Sequence, residues 1–300
     1  MNTVKIAPQL EISRIVLGIW RLLDWNMSDQ QLLTYLKQSI EAGVTTFDHA
    51  DIYGDYECEA GFGKALQLEP SLRSQMQLIT KCGIKLKSSK FPDRRVKYYD
   101  YSKEYIIQQA EQSLKNLNTD YIDVLLLHRP SPFFNPTEVA AAFDELKTSG
   151  KVNHLGVSNF TPVQFESLQS YLNEPLVTNQ IEISPAQLEH FENGNLDYLI
   201  EKRVSPMAWS PLAGGSLLQP KDEKSKNIHD AIARVASQIE ETDLSKVIYA
   251  WTLMHPSHII PVIGTGKIER LKTAVDALDT TLSLEQWFDI YTASLGTEVA

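Results

Sequence analysis

The chain has 300 residues, 43% of which are hydrophobic, so it is long enough to bury a large core. Its formal net charge of −10 argues against nucleic acid or an anionic membrane surface as a partner, because either would call for clustered Lys and Arg. Residues 1–16 lack the apolar core and cleavage site of a signal peptide, and no apolar run approaches the roughly 20 residues of a membrane span.

Eight strand-like runs recur along the chain. Most are short and apolar, and they are bounded by polar residues or glycine, which is the pattern of strands buried on both faces of a parallel sheet. The predicted strands begin at Ile15, Val44, Met76, Ile122, Val152, Leu176, Ser205 and Ile259.

Helical patterns lie between these runs. Ser28 is placed to cap a helix whose apolar residues recur on one face and which Gly43 ends. Ser102 is placed to cap a second helix, although Tyr105 stands where a capping box needs an acid or an amide. Further helices are predicted at residues 136–147, 162–171, 196–202, 244–254 and 268–278, and a final one begins at Ser283.

The alternation of eight strands with helices predicts an α/β fold, namely a (β/α)8 TIM barrel formed by residues 1–300 as one domain. A doubly wound open sheet is the alternative, and the lack of a GxGxxG motif after an early strand argues against it. Residues 3–7 and 11–15 are expected to form an N-terminal β-hairpin over the barrel floor, with the extra C-terminal helix outside. Long loops are expected at residues 85–101 and 212–226, and loops of more than about 12 residues often act as lids.

The stretch FDHADIYG, residues 47–54, places an acid and a phenol where the second strand meets solvent. Asp48 ends that strand and Tyr53 follows in the loop. Lys81 ends the third strand and His128 ends the fourth. Because the carboxyl ends of the strands of such a barrel meet at one face, these four side chains are expected to converge there.

The four side chains fit proton transfer to a carbonyl. A phenol with a pKa near 10 is a weak acid at neutral pH, and a neighbouring ammonium lowers that value. We therefore expect Lys81 beside Tyr53, with Asp48 keeping the amine charged and His128 binding a substrate oxygen. The hydride would have to come from a cofactor. Taken singly, the residues also fit structural roles: a turn, an ion pair, a cap and a core imidazole.

Taken in order, the motifs resemble those of the aldo-keto reductase superfamily. FDHADIYG resembles its Asp and Tyr signature, TKCG its lysine strand and LLLHRP its histidine strand. GKVNHLGVSNF, TNQIEISP, AWSPLAGG and PVIGTGKIERL resemble its later blocks, so that the resemblance runs from about Leu17 to Leu278. It implies an enzyme that reduces aldehydes or ketones to alcohols with NADPH, in which Tyr53 donates the proton.

The resemblance also implies how NADP(H) is held. Ser158, Asn159 and Gln180 would hold the nicotinamide carboxamide, and Trp209 would stack on its ring, although Trp209 alone fits an ordinary core position as well. Glycine next to a pyrophosphate would let the backbone approach it closely. Contacts to the rest of the cofactor are implied for Gly18, Trp20, Ser210, Leu212, Gly214, Gly264, Thr265, Gly266, Lys267 and Arg270.

The stretch GTGKIER gives a physical reason to expect NADPH. It opens the helix after the eighth strand, where free amides and the helix dipole favour a phosphate. An arginine suits a phosphate because its donors form a fork. A solvated helix start with Glu269 nearby is the alternative. The sequence also departs from the family pattern, with His49 in place of a common Thr, an extra residue before Glu59, and Thr273 and Ala274 at positions that often contact adenine.

The remaining expectations concern partners and location. The two cysteines, Cys58 and Cys82, form neither a disulfide framework nor a metal-ligand spacing, so a cytoplasmic protein without a metal is predicted. A small-molecule carbonyl is the expected partner, and a monomer is the expected state. A Schiff-base lyase with Lys81 as nucleophile is a competing hypothesis, against which a paired Asp48 argues. A non-catalytic protein that retains the fold and the cofactor is another.

Overall fold

The structure is a computed structural model, and it describes residues 3–300. Eight parallel strands close into a barrel that helices surround, which confirms the predicted (β/α)8 fold. In chain order the strands are β1 (Thr3–Ala7), β2 (Leu10–Ser13), β3 (Val16–Gly18), β4 (Thr46–Asp48), β5 (Gln77–Cys82), β6 (Ile84–Lys85), β7 (Tyr98–Tyr99), β8 (Ile122–Leu127), β9 (Val152–Ser158), β10 (Leu176–Glu182), β11 (Met207–Trp209) and β12 (Ile260–Ile263).

The helices that follow the strands have their apolar faces against the barrel. The barrel order is β3-β4-β5-β8-β9-β10-β11-β12, and β12 pairs back with β3. The helices are α1 (Asp29–Glu41), α2 (Tyr53–Tyr56), α3 (Cys58–Gln67), α4 (Lys103–Leu117), α5 (Pro136–Thr148), α6 (Pro162–Gln169), α7 (Glu189–Glu192), α8 (Asn195–Lys202), α9 (Glu223–Gln238), α10 (Leu244–Met254), α11 (Ile268–Asp276) and α12 (Leu284–Leu295).

The predicted N-terminal hairpin covers the barrel floor. Strands β1 and β2 pair antiparallel, with Val4 opposite Ile12. Ile12 is fully buried and belongs to one apolar cluster with side chains of the barrel strands, among them Ile79, Val124 and Met207. The lower half of the barrel is therefore filled largely by packed apolar side chains.

The predicted extra helix α12 packs outside the barrel against α10. The indoles of Trp251 and Trp287 stack with ring centroids 4.9 Å apart and an interplanar angle of 6°. Each indole N–H donates to the backbone carbonyl of the other tryptophan at 3.0 Å. This reciprocal pair buries two large aromatic faces and satisfies both of their polar groups, which fixes the C-terminal helix in place.

Local sequence signals explain where helices begin. Ser28 accepts from the backbone N–H of Gln31, and Gln31 accepts from that of Ser28, so the predicted cap of α1 is confirmed as a complete capping box. Ser102 does occupy the N-cap position of α4, but its side chain makes no cap. Its hydroxyl donates instead to Asp100, 2.7 Å away, so the predicted side-chain cap is wrong.

Two predicted loops contain regular structure. The segment at residues 212–226 was predicted to be a loop, but α9 begins at Glu223, because Asp222 accepts from the backbone N–H of Ser225 and closes a capping box. The segment at residues 85–101 has a two-stranded base, in which β6 pairs antiparallel with β7. Helices α3 and α9 were not predicted at all.

Among residues 3–300, no helix is long and apolar enough to cross a membrane. Within the same residues, no group of three His, Cys, Asp or Glu side chains is placed to hold a metal ion. Cys58 and Cys82 are both buried and unbridged. Buried polar side chains that could take part in a reaction lie at the carboxyl ends of the barrel strands.

Candidate active site

A buried ion pair forms the centre of the upper barrel. Asp48 ends β4 and Lys81 lies near the end of the neighbouring β5. The Nζ of Lys81 lies 2.7 Å from both carboxylate oxygens of Asp48 and 3.1 Å from the hydroxyl oxygen of Tyr53. It also donates to the backbone carbonyl of His49 at 2.7 Å. Lys81 has no solvent exposure. The structure therefore brings three of the four predicted residues together around a buried amine.

His128, the fourth predicted residue, completes the group. It follows β8, and its backbone N–H donates to the carbonyl of Cys82 at 3.0 Å. Its ring centroid lies 5.9 Å from that of Tyr53 at an interplanar angle of 78°. Among the described residues, its buried Nδ1 has no hydrogen-bond partner. Burial, and after it the charge of Lys81, holds the pKa of His128 well below its usual value, so the imidazole is neutral.

The proton affinities of the central pair follow from burial and charge together. Burial raises the pKa of Tyr53, and the opposing effect of Lys81 is smaller, so the net pKa lies above its ordinary value. Lys81 acts in the predicted direction and lowers the pKa of Tyr53, but the effect of burial on that pKa is larger. Burial alone would lower the pKa of Lys81, but Asp48 and Tyr53 outweigh it and raise that pKa. Tyr53 thus holds its proton beside a permanent ammonium ion.

A chain of hydrogen bonds links this centre to the neighbouring strand ends. The side-chain amide of Gln180 donates to Asp48 at 2.8 Å, and the hydroxyl of Ser158 donates to the backbone carbonyl of Gln180 at 2.8 Å. The amide of Asn159 donates to Ser158 at 2.7 Å, and its oxygen accepts from the indole N–H of Trp209 at 3.0 Å. The four residues predicted at the nicotinamide therefore form one connected wall next to Asp48.

The loop after β11 leaves its backbone accessible. Gly214 and Gly215 have φ values of 66° and 98°, and no atom lies within 4 Å of the point where a Cβ would be added to either. Ser210 also has a positive φ and accepts from the backbone N–H of Gly214 at 3.1 Å. The side chain of Leu212 packs against the apolar clusters instead, so any contact of Leu212 with a cofactor would come from its backbone.

The loop after β12 leads into an uncapped helix. No side chain caps α11 at Lys267, and both Lys267 and Arg270 are exposed at its start. The hydroxyl of Tyr35 donates to the backbone carbonyl of Thr265 at 2.5 Å. A Cβ added to Gly266 would lie 2.6 Å from the ring of Trp25, so an aromatic side chain presses directly on this glycine. Tyr35 and Trp25 therefore hold the loop between β12 and α11 in position.

The first strand of the barrel, β3, contributes less polar surface to the site than the other strands do. Gly18 ends β3 and is buried, and the backbone carbonyl of Gly18 lies 3.9 Å from a Cβ built on Gly264. Trp20 follows with 62% of its surface exposed. Both predicted residues therefore lie at the carboxyl ends of the strands, and Gly18 approaches the loop that contains Gly264.

The positions that depart from the family pattern have structural explanations. His49 is fully buried, its ring lies edge-on to Phe62 with centroids 4.5 Å apart, and burial lowers its pKa to about 3. The segment with the extra residue turns through Gly54, Asp55 and Tyr56, which all have positive φ. It ends at Glu59, which accepts from Thr80 at 2.6 Å. His49 is therefore a neutral core side chain.

Sequence reasoning missed two charged residues at the mouth, Arg129 and Glu182. Arg129 directly follows His128, and the centre of its guanidinium lies 5.5 Å from the ring centroid of Trp209. Glu182 is the last residue of β10 and the register partner of Trp209. Both residues lie inside motifs that the prediction used, LLLHRP and TNQIEISP, and their positions at strand ends were the signal that could have identified them.

The fold and this polar centre define an aldo-keto reductase barrel. The chain belongs to the aldo/keto reductase family, whose model matches residues 14–294. It is 48% identical over 300 residues to the oxidoreductase YdhF of Escherichia coli (strain K12), with 100% of this chain and 99% of the relative covered. It is 43% identical over 301 residues to the 6-dehydroglucose reductase of Agrobacterium fabrum, with 100% of both chains covered.

A solved structure supports the same assignment. An aldo/keto reductase from Klebsiella pneumoniae, crystallised in complex with NADP and acetate, matches with a TM-score of 0.78 at 25% identity. The match covers 96% of this chain and 94% of that chain. The predicted family is therefore confirmed, and the protein is an oxidoreductase of a family that reduces carbonyl groups.

Proposed function

We propose that the protein reduces an aldehyde or ketone to an alcohol, with NADPH as the reductant and Tyr53 as the proton donor. The observation that carries the proposal is the position of the fully buried Lys81 ammonium, 3.1 Å from the hydroxyl of the half-buried Tyr53 and 2.7 Å from Asp48. A fixed positive charge there stabilises the phenolate that forms when the proton leaves. The same charge has little effect on the neutral phenol, so it favours the transfer itself.

The surrounding residues have separate tasks in this mechanism. Asp48 keeps Lys81 charged in a site whose burial would otherwise favour the free amine. Gln180 donates to Asp48 and fixes the orientation of the carboxylate. His128 is neutral, so it can donate one hydrogen bond to the substrate oxygen and hold it against Tyr53. Tyr53 then passes its hydroxyl proton to that oxygen.

The residues at the strand ends fit a dinucleotide. A bound nicotinamide would supply the hydride that no side chain can supply. Ser158, Asn159 and Trp209 would hold the nicotinamide end. Gly214 and Gly215, which have open space at their Cα atoms, would let the backbone approach the pyrophosphate. Gly18 and Trp20 would line the ribose.

The adenosine end favours NADPH over NADH. The first turn of α11 has free amides and no side-chain cap, so it can bind an anion through the helix dipole. Lys267 and Arg270 are exposed on that turn and add two positive charges. We propose that they bind the 2′-phosphate, together with the backbone of Gly264, Thr265 and Gly266.

The names of two relatives suggest which carbonyl compounds to test as substrates. Two of them are 6-dehydroglucose reductases, 43% and 37% identical to this chain over most of its length. We therefore include hydroxylated aldehydes among the substrates to be tested. We further propose that the protein is cytoplasmic and monomeric, that residues 1–300 act as one domain, and that its partner is the small-molecule carbonyl alone.

The decisive experiment compares the wild-type protein with Tyr53→Phe. NADPH should bind to both proteins with the same dissociation constant, measured by cofactor fluorescence. Reduction of a panel of aldehydes should fall by at least about 100-fold in the variant, because a positioned acid contributes that much or more. Tyr171→Phe, at an exposed position, is the matched control. Unchanged turnover in Tyr53→Phe would rule out the assigned acid.

Two further outcomes separate the competing hypotheses. Tight NADPH binding without turnover of any aldehyde or ketone in the wild-type protein would favour a non-catalytic binding protein. Borohydride trapping of a carbonyl compound on Lys81 would favour a Schiff-base lyase. The short contact with Asp48 argues against trapping, because a charged amine is not a nucleophile.

A further inference from the structure

The upper barrel is built in layers, and the layer above the proposed catalytic residues contains Glu182. Gln180 and Met207 are register partners, and the amide nitrogen of Gln180 lies 4.0 Å from the Met207 sulfur, so both side chains point into the barrel. Side chains two residues apart on a strand point to the same face. Glu182 and Trp209 are the next register pair on that face. They therefore also face the barrel axis, one layer nearer to solvent.

Arg129, the residue after His128, also lies beside Trp209. Its backbone is held at both polar groups by one side chain, because Tyr101 accepts from the N–H of Arg129 at 3.1 Å and donates to its carbonyl at 2.5 Å. The guanidinium centre lies 5.5 Å from the ring centroid of Trp209. Arg129 is thus positioned by its neighbours, although its charged group is free to take a partner.

The two charged groups are close but are not joined. Across residues 3–300, neither the guanidinium of Arg129 nor the carboxylate of Glu182 has a hydrogen-bond partner, and no nitrogen–oxygen contact within 4.0 Å links them. Both groups belong to residues placed beside Trp209, because the guanidinium centre lies 5.5 Å from its ring centroid and Glu182 is its register partner. Both residues are half-buried. Unused donors and an unused acceptor therefore both lie beside Trp209.

We infer that Arg129 and Glu182 bind hydroxyl groups of the substrate and select aldehydes that bear them. The inference rests on the proposed function. A hydroxyl group can accept from a guanidinium and donate to a carboxylate at the same time. An apolar substituent would leave both charged groups unpaired, and a site built for hydroxyl groups rejects analogues that lack them.

Charged substituents fit this position less well. An anionic substituent would be repelled by Glu182 and a cationic one by Arg129. One charge of each sign beside Trp209 therefore favours a neutral, polyhydroxylated substrate.

The test compares kcat/KM for D-glyceraldehyde and propanal, which have the same number of carbons and differ in two hydroxyl groups. The wild-type protein should prefer glyceraldehyde by at least tenfold. Arg129→Met and Glu182→Met should each reduce that ratio at least fivefold, because each removes hydrogen bonds to a charged group. Arg129→Lys should restore part of the preference. Arg234→Met, at a salt bridge to Asp289 on the outer surface, should leave the ratio unchanged.

A second substrate tests the sign of the charge effect. Glu182→Gln should raise kcat/KM at least fivefold for succinic semialdehyde, an anionic aldehyde, because it removes a repulsion and leaves Arg129 in place. A merely structural role would lower kcat/KM for all three aldehydes alike. Equal use of glyceraldehyde and propanal by the wild-type protein, or an unchanged ratio in both Met variants, would overturn the inference alone. Turnover of neither aldehyde would overturn the inference alone, whereas turnover of no aldehyde or ketone in the wider panel would overturn the proposed function as well.

Discussion

The Nζ of Lys81 and the hydroxyl oxygen of Tyr53 lie 3.1 Å apart, although Tyr53 begins the short helix α2 after β4 and Lys81 lies near the end of β5. No solvent reaches Lys81. An isolated charge is strongly disfavoured in such a place, so the site depends on its partner carboxylate as much as on the amine. This dependence can be measured as stability as well as turnover.

Lys81→Met should abolish turnover and lower the free energy of unfolding by about 3–5 kcal/mol, because it leaves the buried carboxylate of Asp48 without its partner. The double variant with Asp48→Asn should recover most of that stability and none of the activity. Urea unfolding and aldehyde turnover, measured on the same preparations, check both parts. A single variant as stable as the wild-type protein would mean that Asp48 needs no counter-charge.

His49 should make the fold sensitive to acid. Its pKa falls from 6.5 to about 3 on folding, mainly through burial. Above pH 6.5 it is neutral in both states and has no pH-dependent effect. As the pH falls from 6.5 towards 3, the unfolded chain takes up a proton that the folded chain refuses, so stability declines by about 1.4 kcal/mol per pH unit.

The variant His49→Leu tests this account. The slope of unfolding free energy against pH between 4 and 6 should decrease by nearly the full contribution of one imidazole. The His49 resonances in the wild-type protein should show no titration over the same interval. An unchanged slope in the leucine variant would assign the acid sensitivity to other groups, of which His128 is the first to examine.

Gly83 should be far less tolerant of alanine than Gly150. Both have positive φ, at 109° and 71°, but a Cβ on Gly83 would lie 1.9 Å from the ring of Tyr101, whereas Gly150 has open space. Gly150→Ala should cost about 1–2 kcal/mol from backbone strain alone. Gly83→Ala adds a clash and should cost about 3 kcal/mol or more. Thermal or urea unfolding of the matched pair measures the difference.

Gly83→Ala should also impair activity, because Tyr101 holds both backbone polar groups of Arg129 next to His128. We expect a reduced kcat with glyceraldehyde in the fraction that remains folded. An active variant with the stability of Gly150→Ala would show that Tyr101 moves aside without consequence.

Arg270→Gln should weaken NADPH binding more than NADH binding, since only NADPH has the 2′-phosphate. The ratio of the two dissociation constants should change by about tenfold, the equivalent of one hydrogen bond to a charged group. Tyr35→Phe should shift the ratio in the same direction by less, because it releases the Thr265 carbonyl without removing charge. Lys272→Gln, two residues further along α11, is the control for general charge effects. Equal weakening of both cofactors would place Arg270 away from the phosphate.

The strands could be predicted closely because burial on both faces leaves a continuous apolar signature. Strands β9 and β10 begin and end at the predicted residues, and the sites at the strand ends followed once the barrel was assumed. Helix α9 was missed because its apolar residues, among them Ile228 and Ile232, follow a charged stretch that reads as loop.

Two features of the site required three-dimensional information. The net pKa of Tyr53 depends on how completely it is buried, and the sequence indicated only the opposing ammonium. The pairing of Glu182 with Trp209 depends on strand register, and the position of Arg129 over the indole depends on the hydrogen bonds of Tyr101. Neither follows from spacing along the chain.

The apolar filling of the lower barrel has one more consequence. In the described part of the chain, the hairpin β1–β2 and the side chains packed on it make the barrel a blind tube. If Tyr53 is the proton donor, as we propose, its proton would be replaced from the open end of the barrel, by the same route as the alcohol leaves. Slow release of the product would then delay two steps of the next cycle, namely reprotonation of Tyr53 and binding of the next substrate.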